Sequence, residues 1–528
     1  MKNKVDNTRK LSAALIAVMI TLASTGIWSY FALYTPYYDK ERTRLLTFTT
    51  DLIPNDLDPA LVADTDSYTI VLNVFDRLVE YKKGSTEIEP SLATSWEMPD
   101  SVTYIFNLKE GVFFHDSTPF NASSVKFSLD RVTELEGPPS YLFAVINSTE
   151  VLDEYRVKIT LNENFSPFLQ ILAHPAASIV SQTAAEKMGT GTNPSVGFDI
   201  NPVGTGPFKF DHWVSGKELV LTANEEYFKG APKFKTLVFK VLLESSEREK
   251  ELLAGNLDAV FGTIGVPVQD LPALDRNPDV RVSKGVGSGV EFLGFNLQKQ
   301  PLNDTRVREA IACAIDYDAI IKDVMGGVAE RIAGPVPPSI FGYADLPMTQ
   351  RDVAKAKQLL VDAGYPDGFA ITLTYNIDNI ARRQAGEVIR DSLADVGINV
   401  RLEGLDWESA LDEYFSMRYE MCLNIWLPDY FDADGYLTPL FHSYSIENGF
   451  NIFGFSDPKV DELTDQARSA TSPDVRLKAY QEAQEIIVSQ VPAVFLYVPD
   501  IYDVMRYDVA NWVQSPTGFF YAHDLYRR

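Results

Sequence analysis

Between Asp352 and Leu402 the chain leaves itself little freedom. Asp352 stands before Val353-Ala-Lys-Ala-Lys-Gln-Leu-Leu360, with apolar residues three to four apart, and Gly364 then Pro366 close the segment. An acid at the first turn, a helical stripe, a terminal glycine and a proline beyond it are the full set of helix start and stop signals. Phe369–Tyr375 then alternates as a strand, Arg383–Val396 is amphipathic and ends at Gly397, and Ile398–Leu402 resumes a strand pattern. Strand and helix in strict alternation predict an α/β architecture.

The same alternation extends along the chain. Leu45–Thr49 and Thr103–Leu108 are β-rich, Asn121 is placed to cap a helix carrying Val125, Leu129 and Val132, Arg476–Gln490 reads as a long helix, and Ala493–Val498 as a buried strand. At 528 residues the chain is long enough for roughly three to four domains.

The N-terminus has a separate pattern. Lys2, Lys4, Arg9 and Lys10 precede an uncharged run from Leu11 to Tyr38, enough helix to cross a ~30 Å hydrocarbon core. Residues 1–10 are expected to form a basic cytoplasmic tail and residues 11–38 a signal anchor or a cleaved signal peptide. The length of the run, the lack of an A-x-A site and the cluster of Trp28, Tyr30, Tyr34, Tyr37 and Tyr38 favour a retained anchor. Either way the body is exported. Four N-x-S/T sequons, at Asn121, Asn147, Asn164 and Asn303, are also accounted for by chance.

Charge and motif content remove several function classes. Lys and Arg total 47 against 73 Asp and Glu, a net charge of −26, which opposes nucleic acid as a partner. Cys313 and Cys422 form no CxxC pair or zinc set, and the five histidines are scattered. No phosphate loop, dinucleotide fingerprint, zincin helix or nucleophile elbow is present. The Ser123-Ser-Val-Lys126 match to S-x-x-K lacks its companion motifs.

Asp429, Asp432 and Asp434 lie between Trp426 and Phe441 in a stretch dense in aromatic residues. Three carboxylates in six positions fit a solvated turn, a Ca²⁺ site, an acid/base pair, or an anchor for a ligand cation beside aromatic walls. Trp407 fits either a further wall or a core position. Val203-Gly-Thr-Gly-Pro207 fits either a close backbone approach to a ligand or a tight crossing between domains.

Several ordered blocks resemble a known family. Pro90-Ser-Leu-Ala-Thr-Ser-Trp96 and Tyr104-Ile-Phe-Asn-Leu-Lys-Glu-Gly-Val-Phe-Phe-His-Asp116 are similar to the signature region of family 5 extracellular solute-binding proteins, the dipeptide, oligopeptide and nickel receptors of ABC importers. Val203–Phe210, Pro301–Ile311, Ala314–Asp316, Ala356–Leu360, Ala363–Tyr365 and Val491–Tyr497 follow in the family's order, and Ser117 departs from its usual glycine. The resemblance spans roughly Leu45 to Arg528. It implies an α/β periplasmic-binding-protein-like fold of the large three-lobed type (class II, cluster C) that closes on ligand about a hinge. Lobe I is expected at residues 45–66, 205–290 and 500–528, lobe II at 67–204, and lobe III at 291–499.

The implied function is the extracytoplasmic substrate-binding component of an ABC importer, capturing di- or oligopeptides for permease subunits, as a monomer without cofactor, anchored through residues 11–38. Trp426-Leu-Pro-Asp-Tyr430 resembles the segment in which peptide-binding members pair an Asp with the α-ammonium, which assigns that role to Asp429 beside Trp426, Tyr430 and Trp407. Ala381-Arg382-Arg383 resembles the place of an arginine that clamps the α-carboxylate, with both arginines as candidates. Oligosaccharide, nickel chelate and haem are alternative ligands. From a different class comes a glycan hydrolase using Asp429 and Asp432.

Overall fold

The computed structural model describes residues 45–50, 56–62, 64–189, 197–260 and 265–528. The expected anchor at residues 11–38 and the basic tail lie outside them. Among the described residues, no helix is long and apolar enough to cross a membrane.

Three sheets organise the chain. The first orders Leu45–Thr50, Thr236–Val241, Glu218–Ala223 and Phe208–Val214, with the first pair parallel and the rest antiparallel. The second is an antiparallel meander of Ala93–Asp100, Thr103–Leu108, Arg156–Leu161 and Ile146–Asp153. The third has eight strands, with Val290–Phe295, Met421–Trp426, Phe369–Asn376 and Ile398–Leu405 side by side at its centre and edge. Its parallel pairs, Phe369–Asn376 with Ile398–Leu405 and with Met421–Trp426, need helical crossovers, and Ile380–Ala394 supplies the first.

The predicted elements form with small shifts that have local causes. The helix after Asn121 runs Ala122–Glu134 with Asn121 and Ser124 in a reciprocal capping box. Val353–Asp362 is capped by Asp352, and Gly364 takes φ +91° just past its end. Ile380–Ala394 begins before Arg383 because the Asn379 side chain accepts from Arg382 N at 2.9 Å. Pro473, unable to donate a backbone hydrogen bond, opens the last helix ahead of Arg476.

The strand predicted to end at Val498 continues to Arg506, and this extension carries it from one set of neighbours to another. Its first half pairs with Val290–Phe295 and its second half with Val280–Val286. Two adjacent chain crossings result, at 287–289 and at 499–500. They lie so close that a Cβ on Gly287 would stand 2.5 Å from Pro499 O. Two short crossings side by side, running antiparallel, are what a hinge requires.

The first sheet's core takes in Ile70, Val71, Val74 and Phe75, and also Val180, Ala184, Ala185 and Phe198. Those residues fall at the two ends of the segment expected for lobe II, and they share a core with the first sheet. The Gly204–Gly206 turn sits at this joint. A Cβ on Gly204 would lie 2.2 Å from Val74 O, and Thr205 Oγ1 donates to Asp76 Oδ2 at 2.7 Å. Its glycines admit backbone against backbone, which corrects the reading of a ligand-facing loop. Cys313 and Cys422 are buried free thiols.

Candidate functional site

The Met421–Trp426 strand runs out of the large sheet into a loop and then the helix Asp434–Phe441. Trp426 Nε1 donates to Gly435 O at 2.8 Å, which turns the loop back over its own indole. The three carboxylates of this loop are treated very differently. Asp432 is fully buried and accepts from Arg476 Nη2 at 2.6 Å. Asp434, also fully buried, accepts from Tyr430 Oη at 2.5 Å and Thr438 Oγ1 at 2.6 Å, with Arg468 Nε 3.4 Å away.

This arrangement overturns the acid/base pairing of Asp429 with Asp432. Asp432 has no exposed atom and its charge is committed to Arg476. The Ca²⁺ reading fails with it: among the described residues no three acidic, His or Cys side chains converge as a metal site.

Asp429 is the carboxylate left open. Two chambers, of about 370 and 320 Å³, meet at it, and it lines both. Tyr141 Oη donates to its Oδ2, and no Lys, Arg or His among the described residues pairs with it. Asp429 keeps an exposed surface, yet protein packed around it on both sides of the cleft screens it from bulk water, and this desolvation raises its carboxyl above the usual aspartate range despite the Tyr141 hydrogen bond. The first chamber is walled by Tyr141 and Phe165 on one side and by Trp426, Tyr430, Tyr444 and Phe450 on the other. Phe450 bridges them, its ring centroid 6.4 Å from Tyr141 and 6.3 Å from Trp426. The second chamber is lined by Tyr68, His174 and the 287–289 crossing. Burial pushes His174 down to about 3, so it is neutral there.

Arg382 and Trp407 form a second group. Arg382 is buried and grips Glu291, Nε to Oε1 at 2.7 Å and Nη2 to Oε2 at 3.3 Å, with its guanidinium 5.8 Å from the Trp407 ring centroid. Trp407 itself is 41% exposed, which excludes the core reading. Arg383 points to solvent on the next helical position. Neither arginine lines the two chambers at Asp429. The groups are linked through the sheet, because Glu291 registers with Ile425, the neighbour of Trp426.

The structure thus brings Asp429, Trp426 and Tyr430 together and sets Arg382 with Trp407 apart from them. Sequence reasoning missed Tyr141 and Phe165, which approach from the meander sheet's side, and Arg468, which lines the same chamber. Tyr141 is 288 positions from Asp429, and no local pattern announces such a contact.

The family model of bacterial extracellular solute-binding proteins, family 5 (middle region), matches residues 87–448. Heme-binding protein A of Haemophilus influenzae is 32% identical over 502 residues, covering 89% of this chain and 90% of that protein. The probable D,D-dipeptide-binding periplasmic protein DdpA of Escherichia coli is 30% identical over 470 residues, with 88% and 90% covered. Among solved structures, the periplasmic binding protein DppA from Helicobacter pylori, in complex with the peptide STSA, matches with a TM-score of 0.78 and 31% identity over 92% of this chain and 99% of that one. The first two are named for different ligands, and the third was solved with a peptide bound.

Proposed function

The chain belongs to the bacterial extracellular solute-binding proteins, family 5, and from that premise we propose that it captures peptides through their α-ammonium at Asp429. As a family member it is the extracytoplasmic solute-binding component of an ABC importer, a binding protein rather than an enzyme. The observation that carries the peptide reading is the open carboxylate: Asp429 is unpaired, partly desolvated and flanked by aromatic rings, a setting that attracts an ammonium more strongly than bulk water does.

The charge balance of the cleft argues for an ammonium ligand over haem. Arg468 is the single Lys or Arg among the residues lining the two chambers, and Asp434 already faces it. Two haem propionates would meet Asp429 and no free cation. Trp426 and Tyr430 wall the ammonium end. In this reading the peptide carboxylate of a short ligand is taken by Arg382, whose Nη1 edge is free of Glu291, with Trp407 as its aromatic floor and Arg383 as the solvent-side alternative. We further propose that residues 11–38 hold the protein at the membrane as a monomer, beside its permease.

The deciding experiment is native mass spectrometry of the full chain, purified from its host without refolding, followed by denaturing release of whatever it retains. Released peptides that are lost in Asp429→Ala uphold the reading. A released sugar, metal chelate or haem overturns Asp429's role.

A further inference from the structure

The loop at residues 162–166 is fixed with unusual thoroughness for a surface connection. On one side, Asn162 N donates to Val145 O at 2.9 Å and Asn162 Nδ2 to Ala144 O at 2.8 Å. On the other, it reaches across to the end of the helix Pro458–Ser469. Ser166 N donates to Arg468 O at 2.7 Å, Asn164 Nδ2 donates to Ser469 O, and Ser166 Oγ donates to Ala470 O. Carbonyls that a helix terminus leaves without partners are thereby satisfied by the facing wall. Phe165 is buried under the Arg468 guanidinium, 5.2 Å from its ring centroid, and 6.2 Å from Tyr430.

One side chain of this pinned loop is left without a partner. Glu163 lines the same chamber as Asp429, is solvent-accessible, and makes no ion pair or hydrogen bond with the described residues. Arg468, the one Lys or Arg lining this chamber, is turned to Asp434 and to Tyr444 Oη, 3.3 Å from its Nη1. The chamber therefore presents two carboxylates without a cationic partner, Asp429 and one on a loop whose backbone Asn162 holds from its own side through Val145 O and Ala144 O. Holding the backbone reduces the ordering cost of recognition by that side chain.

We propose that Glu163 is a second cation-recognising carboxylate of this cleft and selects peptides that carry a basic side chain close to the N-terminus. The inference rests on the peptide reading and adds to it a specificity: Asp429 takes the ammonium that every peptide has, and Glu163 takes a charge that only some have. A lysine or arginine side chain lying along Trp426 and Phe450 would bury its methylene stem and keep its charged head at the rim.

The test measures dissociation constants by isothermal titration for Lys-Ala-Ala, Ala-Lys-Ala and Ala-Ala-Lys, each against its norleucine isostere, on the full chain and on Glu163→Gln. The isosteres match lysine in stem and lack its charge. At one of the first two positions the lysine peptide is expected to bind about fivefold or more tightly, a preference typical of a partly solvated charge pair. In Glu163→Gln that ratio should fall below about twofold, and in the wild type it should shrink with added salt. Lysine and norleucine peptides binding alike, or a lysine preference that survives in Glu163→Gln, overturns this inference while leaving peptide capture standing. Failure of all six peptides to bind overturns the peptide reading and the inference with it.

Discussion

Asp429 and the pair Asp432 and Asp434 sit within six residues of one loop and meet opposite fates. The pair is buried to the last atom, and each member faces an arginine brought from the helices at 458–490. Asp429 has a tyrosine hydroxyl and two open chambers. Side-chain type is the same in all three, so the difference is made by what the rest of the chain delivers. A buried carboxylate with an arginine is explained by the fold. One left without a cationic partner and lining two chambers is the candidate contact for a ligand.

The largest effect expected from breaking this contrast is on stability. Asp432→Ala leaves Arg476 charged and buried without its partner, a loss of about 3–5 kcal/mol for such pairs. The thermal and denaturant midpoints should fall clearly. A midpoint within a degree of wild type would mean that Arg476 finds water, and that the two classes of carboxylate differ less than the geometry says.

Asp429→Ala should do the reverse. Peptide affinity is expected to drop by about 2–5 kcal/mol, because the ammonium then lies in the cleft without its counter-charge. Stability should hold. The sign follows from the raised pKa: a carboxyl raised above its unfolded value of 3.8 supports the fold below that value and loses that contribution as pH rises through the folded value. At neutral pH the ionised Asp429 is a small burden, so Asp429→Asn should raise the thermal midpoint slightly, and the gain should vanish in acid. An equal gain at both pH values would show that ionisation is not its source.

The same shift sets a pH dependence for binding. The ammonium needs the ionised carboxylate, so affinity should decline as pH falls through the raised pKa of the ligand-free protein, with uptake of one proton on release. Isothermal titration across pH 4–7 in two buffers of different ionisation enthalpy reads the proton count. Proton uptake unchanged in Asp429→Asn would assign the titration elsewhere.

What the sequence disclosed follows from range. The helix from Asp352 to Gly364 and the cap at Asn121 are local, carried by residues a few positions apart, and they are found where expected. The acidic cluster with its aromatic neighbours was also visible. Its division was not, since Arg476 lies 44 positions from Asp432 and Tyr141 288 from Asp429. Trp407 shows the same limit: whether an indole is core or wall depends on Arg382 and Glu291 beneath it, and Glu291 comes from another strand. The long-range partners, not the residue types, separate structural from ligand-facing groups.

The smallest effect tests whether the satisfied half of the contrast also takes part in binding. Arg468, the partner of Asp434, carries on its backbone one of the carbonyls that Ser166 caps from the opposite wall. These bonds run between the two walls of the chamber, so they are expected to form as the cleft closes. Ser166→Ala removes the hydroxyl bond to Ala470 O and keeps the backbone donor to Arg468 O, so the loss should be no more than ~1 kcal/mol. A contact that exists only when the walls meet weighs on opening, not on encounter. Stopped-flow measurement should then show release of bound peptide faster by about two- to fivefold, with the association rate and the thermal midpoint little changed. If the association rate moves instead, the loop shapes the open state. If only the midpoint moves, the contact belongs to the fold, and Asp434 and Arg468 stand outside binding altogether.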